Sequence, residues 1–462
     1  MSVRSEVSLA RPGAGWPRRY TLLALCFAAM FLCYIDRVNL SVAILAMQQT
    51  FGWSETVKGA VLSSFFVGYL IFQVPSGYLA NRYGGRLVLG IAVLWWSLFT
   101  ILTPVTAFVG LPLLLAARVA LGLGEAATFP GAYNLFSRWI PTNERSRAVS
   151  ILLSGIPLGT LFALVVTGWM VERFGWPSVF YAFGAAGGLW ALVWFTRTCD
   201  DPAKDPRLSA EEAALLGVSH EAGNPHAGQS DASESGSANA GGQAGTTSAE
   251  RSPAAGGTGN TIPWKSLFGS SAVWALVINH FCSNWGLYML LTWLPSYFRH
   301  QGLSIGSAGL FSAAPWLTMA VMINVAAWIA DRMVQAGVSL TVVRKTMQSV
   351  GLIGSALFLL LARNAATPEA ALLLMCGALG ALAFTWSGFA PNHLDIAPRH
   401  ADVLMGVTNT AGTLPGIIGV TLTGWLVDVT GTYAAAFLLA AGLNLFGAAV
   451  WLAWGTGRRV FS

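Results

Sequence analysis

The chain has 462 residues, of which 55% are hydrophobic and only 10% charged; its mean hydropathy is +0.60 and its formal net charge +6. A soluble protein of this size needs far more charge to cover its surface, so composition excludes a soluble globular enzyme. The basic residues are spread by loop rather than gathered in one patch, so no nucleic-acid partner is expected.

A hydrocarbon core of ~30 Å is crossed by about 20 apolar residues of helix. Twelve runs of suitable length occur, near 18–47, 56–80, 87–108, 111–139, 146–171, 177–196, 272–298, 307–330, 343–362, 369–396, 403–427 and 433–454. The first follows Arg4, Arg11, Arg18 and Arg19, as a signal peptide would. It is too long for one and carries the charged pair Asp36-Arg37, so it is expected to remain as the first span. With the N-terminus inside, twenty Lys and Arg face the cytoplasm. Only Lys58, Arg173, Arg299 and Arg363 face outside. That asymmetry predicts an even number of spans and two cytoplasmic termini. Alanine- and glycine-rich helices with few lysines give the expectation of a bacterial inner membrane.

Four of the five cysteines (Cys26, Cys33, Cys282 and Cys376, but not Cys199) fall inside spans, and none forms a CxxC, so all read as packing residues. Tryptophans near span ends, such as Trp16, Trp53, Trp139, Trp176 and Trp264, are expected to anchor at the membrane interface.

The expected organisation is a six-helix bundle over 1–199, a disordered cytoplasmic linker over 200–263 and a second six-helix bundle over 264–462. The linker is rich in Gly, Ala, Ser and Asn and has too little apolar surface to offset the entropy of ordering. The halves repeat each other. Gly168-Trp-Met-Val-Glu172 matches Gly424-Trp-Leu-Val-Asp428, and the run from Pro141 to Gly155 aligns with Pro398 to Gly412. Gly77-Tyr-Leu-Ala-Asn81-Arg82 echoes Ala327-Trp-Ile-Ala-Asp331-Arg332. The fold class is an all-α membrane protein of two pseudo-symmetric bundles, which would bind substrate between them near the midplane. Gly155, Pro157 and Gly159 in span five have counterparts in Gly412, Pro415 and Gly416 of span eleven, either as close packing or as gating bends.

Ionisable groups at bilayer depth are costly and mark a site. Arg118 and Glu125 lie seven residues apart in the fourth run. On one helix they share a face but sit ~10.5 Å apart, too far for a direct ion pair. Glu125, among glycines and alanines with no cation adjacent in sequence, is a candidate proton carrier; the alternative is a static interhelical ion pair. Asp36 and Arg37 are neighbours and so point in different directions, one able to face a cavity while the other meets a second helix. Arginine stays charged when buried and its planar fork matches a carboxylate. Tyr34, Tyr69, Asn284 and Asn409 are candidate hydrogen-bond partners of a polar substrate, or interhelical contacts. His280 lies within span seven and could relay protons. His393 and Asp395, near Arg399, are expected to form a gate or capping network, and Arg145 with its basic loop another gate contact.

Gly77-Tyr-Leu-Ala-Asn-Arg-Tyr-Gly84-Gly-Arg86 resembles the loop signature of the major facilitator superfamily, with Asn81 where an aspartate is usual. The match extends gate roles to Arg82 and Arg86 and, by the repeat, to Asp331 and Arg332. Four further stretches resemble the anion:cation symporter family: Tyr34-Ile-Asp-Arg-Val-Asn-Leu-Ser41; Arg118-Val-Ala-Leu-Gly-Leu-Gly-Glu125 with Phe129-Pro130; Asn284-Trp-Gly with Leu291-Thr-Trp-Leu-Pro295; and Asn392-His-Leu-Asp-Ile-Ala-Pro398. That family includes sugar-acid permeases, sialic acid transporters, vesicular glutamate transporters and plant phosphate carriers. The resemblance implies anion binding by Arg37 and Arg118 and proton coupling by Asp36 and Glu125. Leu62, Ser283 and Ile156 stand where particular branches have histidine, arginine and glutamine.

The expectation is a proton-coupled symporter of a small organic anion, a hexuronate or aldonate above others. It would need no cofactor beyond the coupling proton and no metal, and would work as a monomer in the bilayer. Sialic acid, an aromatic carboxylate or phosphate are alternative cargoes, and a non-transporting nutrient receptor is an alternative role. Two cavity arginines oppose a drug antiporter, and the sequence lacks HExxH, a P-loop and a GxSxG triad that would mark an enzyme.

Overall fold

The computed structural model describes residues 16–141, 144–217, 264–398 and 401–461, and its regular structure is helical throughout. The first six spans are Arg18–Phe51, Glu55–Tyr83, Gly85–Val109, a broken fourth (Leu111–Glu125 and Thr128–Trp139), Arg145–Phe174 and Trp176–Arg197. The second six are Ser271–His300, Ile305–Gln335, Leu340–Ala362, a broken tenth (Pro368–Leu382 and Thr385–Ile396), Ala401–Thr430 and Ala434–Trp454. Eleven of these are long and apolar enough on their own to cross a membrane. The seventh, of thirty residues, is diluted by Asn279, His280 and Asn284 and completes the twelve.

The two breaks fall at equivalent places in the repeat. Each is followed by a threonine whose hydroxyl bonds the last carbonyl before the break, Thr128 to Glu125 at 2.8 Å and Thr385 to Leu382 at 2.7 Å. A freed carbonyl inside a bilayer needs such a partner, since no water reaches it. The break in span four comes directly after Glu125, so the carboxylate sits at a helix end within the membrane.

At the loop between spans two and three, Gly84 has φ +89°, and a Cβ there would overlap the carboxylate of Asp200. Asp200 accepts from the backbone N–H of Arg86 at 2.9 Å and pairs with Arg138 at 2.8 Å. Where Asn81 lacks the usual acid, Asp200 supplies one to the same loop.

The segment expected to be disordered from residue 200 starts with structure: a short 3-10 turn, Pro202–Lys204, and a helix, Ala210–Leu216. Its remainder, 218–263, lies outside the described residues, as do Arg4, Arg11 and Arg399. The ordering has an electrostatic cause. Both carboxylate oxygens of Glu212 accept from the first backbone N–H groups of span one, at Arg18 and Arg19, each at 2.9 Å. Asp205 pairs with Arg18 at 3.2 Å. Carboxylates at a helix N-terminus are stabilised by its dipole and orphan N–H groups. Burial pushes the Asp205 carboxyl up, but hydrogen bonds from Arg207 and the charge of Arg18 outweigh it and hold the group below the usual carboxylate range. Of the interface tryptophans expected at span ends, Trp16 and Trp264 are exposed, whereas Trp139 and Trp176 pack inside the bundle.

The strap over 200–217 should resist limited proteolysis, and Asp205→Asn with Glu212→Gln should expose it to cleavage without unfolding the bundle. A carboxyl depressed on folding stabilises above its unfolded pKa of about 3.9 and loses that contribution as pH falls through its folded value. Protection of the strap should therefore be flat down to about pH 4 and fall below it, read by cleavage rate against pH.

Candidate substrate-binding site and gates

Spans one and four meet in a buried charge cluster. Arg37 pairs with Glu125, Nη2 to Oε2 at 3.0 Å and Nε to the same oxygen at 3.1 Å. The thiol of Cys33 donates to that oxygen at 3.3 Å. Around the guanidinium stand three rings, Tyr34, Phe65 and Tyr69, with centroids 4.7, 4.9 and 4.9 Å from its central carbon. Tyr34 also accepts from Arg37 Nη1 at 3.4 Å. Cys33, Tyr34 and Arg37 lie at three- and four-residue spacing, so one helical face carries them all.

Arg118 is only 2% exposed and forms no salt bridge among the described residues. Its Nε and Nη1 are buried without a hydrogen-bond partner, and its nearest ring is Phe65 at 5.8 Å. Asp36 is equally buried; one of its oxygens takes a 3.4 Å bond from Asn39, and Oδ2 has no partner. The expected separations hold: Arg118 does not pair with Glu125, nor Asp36 with Arg37. Glu125, which lacks a cation nearby in sequence, acquires one from span one in space. Sequence reasoning missed Cys33, Phe65 and Thr128, and the first two were within reach: Cys33 sits four residues before Arg37, and Phe65 four before Tyr69.

On the other half, Asn284 donates to the Gly412 carbonyl at 2.8 Å, an interhelical bond between spans seven and eleven. Gly412 is required there, because a Cβ would collide with the His280 ring. Asn409 is half-buried on span eleven. Where vesicular glutamate carriers have arginine, Ser283 accepts from Gln348 at 3.2 Å, and Gln348 also bonds Asn279 at 3.0 Å. That network is neutral. His280 Nδ1 is buried and unpartnered, and its ring stands 6.4 Å from that of His393. His393 bonds the Thr408 hydroxyl and the Ala390 carbonyl, at 2.8 and 2.9 Å. It does not join Asp395, which pairs with Arg344 at 2.7 Å.

The halves touch at the ends away from the termini. Asp428 at the end of span eleven accepts from the first N–H groups of span two, at Glu55 and Thr56, at 2.8 and 2.7 Å. Glu172, its counterpart in span five, accepts from Gly306 at the start of span eight at 2.7 Å. The repeated GWxV-acid motif is thus a pair of latches, each half capping a helix of the other. Glycines bring the backbones together: a Cβ on Gly424 would fall on the Glu55 carbonyl, and one on Gly309 on the Leu164 carbonyl. Lys58, fully buried, joins the same seam through Glu55, Gln48 and the Trp293 ring. Deeper, Phe66 packs on the Tyr288 ring at 4.6 Å.

At the opposite, basic ends, the hydrogen bonds of Arg82, Arg86 and Arg145 stay within their own half. Arg86 donates to the Phe195 carbonyl at 2.7 Å, Arg145 to the Ile140 and Ser137 carbonyls at 3.2 and 3.0 Å, and Arg82 to Tyr78 at 3.1 Å. Asp331 and Arg332 are exposed, Arg332 lying over Trp328. Among the described residues, every hydrogen bond joining the halves lies on the latched side. The halves are therefore latched together at that end.

A twelve-span, two-bundle protein with a buried charged site between helices and one sealed end is a secondary transporter by architecture. Residues 26–419 match the model of the Major Facilitator Superfamily. The chain is 42% identical over 447 residues to the probable anion transporter 4, chloroplastic, of Oryza sativa subsp. japonica, covering 96% of this chain and 70% of that one. It is 41% identical to the ascorbate transporter, chloroplastic, of Arabidopsis thaliana (96% and 76% covered). It is 40% identical to the sodium-dependent phosphate transport protein 1, chloroplastic, of the same plant (96% and 80% covered). The chain belongs to the Major Facilitator Superfamily and, within it, to the anion transporters.

Solved structures agree on the fold alone. An inward-facing, occupied bacterial homologue of the human lysosomal transporter Spinster superposes with TM-score 0.73 at 15% identity, covering 95% of this chain and 97% of that one. A D-xylose–proton symporter does so with 0.72 at 16%, covering 95% and 99%. The expected bacterial inner membrane is corrected by the sequence relatives: those three are named chloroplastic and come from plants. Small-residue helices report close packing in any bilayer and carry no address.

Replacing both latch acids, Glu172→Gln with Asp428→Asn, should loosen the sealed end. Two carboxylate caps of roughly 0.5–1 kcal/mol each would shift the closed-to-open ratio by about five- to thirtyfold. Spin labels on the exposed residues Phe174 and Val429 should then show a longer, broader distance distribution; an unchanged one would refute the latch.

Proposed function

We propose that this chain carries a small organic anion in symport with a proton by alternating access. Hexuronates, aldonates and the related ascorbate are the preferred cargoes. The observation carrying this reading is Arg118: a guanidinium 2% exposed, with two nitrogens lacking partners, inside a membrane site. A buried unpaired charge is strongly unfavourable, and an anionic oxygen would satisfy either open donor with a charge-assisted hydrogen bond.

Arg37 completes the clamp only when Glu125 releases it. Protonation of Glu125 removes the charge that holds the pair, so proton and anion binding favour each other. Coupling also has an energetic reason, since an inside-negative potential opposes anion uptake by about 2.3 kcal/mol per charge per 100 mV. Tyr34 and Tyr69 line the guanidinium and offer hydroxyls to a sugar; Asn409 offers an amide from the other half. Asn284 is engaged by Gly412 and drops from the set of readers. Asp36, with one free oxygen, is the second titratable group. The neutral Gln348–Asn279–Ser283 network favours a polyhydroxylated anion over a second cationic contact. Phosphate, the cargo in one relative's name, is the competing reading.

In proteoliposomes, Arg118→Ala should weaken anion binding by roughly 10–100-fold, the range for losing one or two charge-assisted hydrogen bonds. Glu125→Gln should keep anion exchange yet lose accumulation driven by a pH gradient. Unaltered pH-driven accumulation in that variant would remove Glu125 from coupling, and saturation by phosphate but not by sugar acids would change the cargo.

A further inference from the structure

Away from the central cluster, span nine presents an open groove of about 440 Å³ on the outside of the bundle. Val342, Thr346, Ser349, Val350 and Ile353 line it, with Leu452 of span twelve. Their three- and four-residue spacing makes the lining one stripe of a single helix. From residue 342 to 354 it runs ~18 Å, close to one leaflet's half of a ~30 Å hydrocarbon core. Val350 and Ile353 are half exposed, so the stripe is apolar where lipid chains would lie.

Its basic-side end is cationic. Lys345 also lines the groove, with Nζ on the Leu452 carbonyl at 2.6 Å. The Thr341 hydroxyl accepts from the N–H of Gly457 at 2.9 Å, which brings the backbone of the exposed Arg458 and Arg459 beside the start of span nine; Arg459 Nε donates to the Phe461 carbonyl at 3.1 Å. That helix begins at Leu340 without a side-chain cap on its first turn. Among the described residues, none of these three cations forms a salt bridge, and no carboxylate lines the groove. Their end is the one where basic residues concentrate, and basic residues at a membrane surface attract anionic headgroups.

We propose that this groove holds an anionic phospholipid, one acyl chain along the span-nine stripe and the phosphate among Lys345, Arg458 and Arg459. The charge selects the headgroup and the stripe selects a lipid over a soluble anion. This site is independent of the transported anion.

The test is native mass spectrometry of the full chain in neutral detergent with phosphatidylglycerol or phosphatidylcholine, alongside a melting curve for each variant. Phosphatidylglycerol should be retained preferentially. Lys345→Ala, Arg458→Ala and Arg459→Ala together should weaken that binding on the order of a hundredfold. The charge-keeping set Lys345→Arg, Arg458→Lys and Arg459→Lys should restore it, which separates charge from misfolding. Val350→Trp, filling the groove, should displace the lipid with all three cations intact. Equal retention of both lipids, retention indifferent to the alanine set, or displacement by inorganic phosphate alone would overturn the assignment.

Discussion

The ion pair between Arg37 and Glu125 is the constraint on which the rest of the site depends. Two arginines and two carboxylates, Arg37, Arg118, Asp36 and Glu125, are taken out of water between spans one and four. Their formal charges cancel, so the cluster is tolerable in a bilayer only as a set. An anion entering this set would leave it negative unless a carboxylate took up a proton. Coupling, in this account, is electroneutrality in a low-dielectric site. Glu125 is suited to it because the helix ends beside it, Thr128 satisfies the freed carbonyl, and its release alone frees a second cation for the substrate.

The same two-fold repeat builds both the site and the closure. The breaks in spans four and ten, each with its threonine, are related by the repeat, yet only the first carries a carboxylate. The fully buried charge cluster belongs to the N-terminal half, and at the matching depth the C-terminal half answers with the neutral Gln348–Asn279–Ser283 network. On the sealed side the repeat works symmetrically, as Glu172 caps span eight and Asp428 caps span two. Carboxylates on helix ends hold firmly when docked and leave little residual attraction when water intervenes, which suits a seal that has to open.

Much of this was legible in the sequence. Twelve apolar runs, the basic-loop bias and the GWxV-acid repeat follow directly from periodicity and composition. Arg37, Arg118, Asp36 and Glu125 announced themselves as charges in apolar runs. The partner of Glu125 did not, because it comes from a helix 88 residues away and no local pattern records that pairing. The strap over 200–217 was hidden for a similar reason: its order comes from Asp205 and Glu212 reaching the start of span one, not from its own apolar content. His393 and Asp395, two residues apart in a short helix, were grouped by proximity in sequence; in space they face Thr408 and Arg344.

The most direct test is the number of protons taken up per anion bound by the purified protein in weakly buffered solution, with hexuronate, aldonate and ascorbate as probes. About one proton should enter with each anion in the unaltered chain, and anion affinity should rise as pH falls. Glu125→Gln should bind with little proton uptake and little pH dependence. Anion binding without proton uptake in the unaltered chain, or the same uptake in Glu125→Gln, would contradict the account.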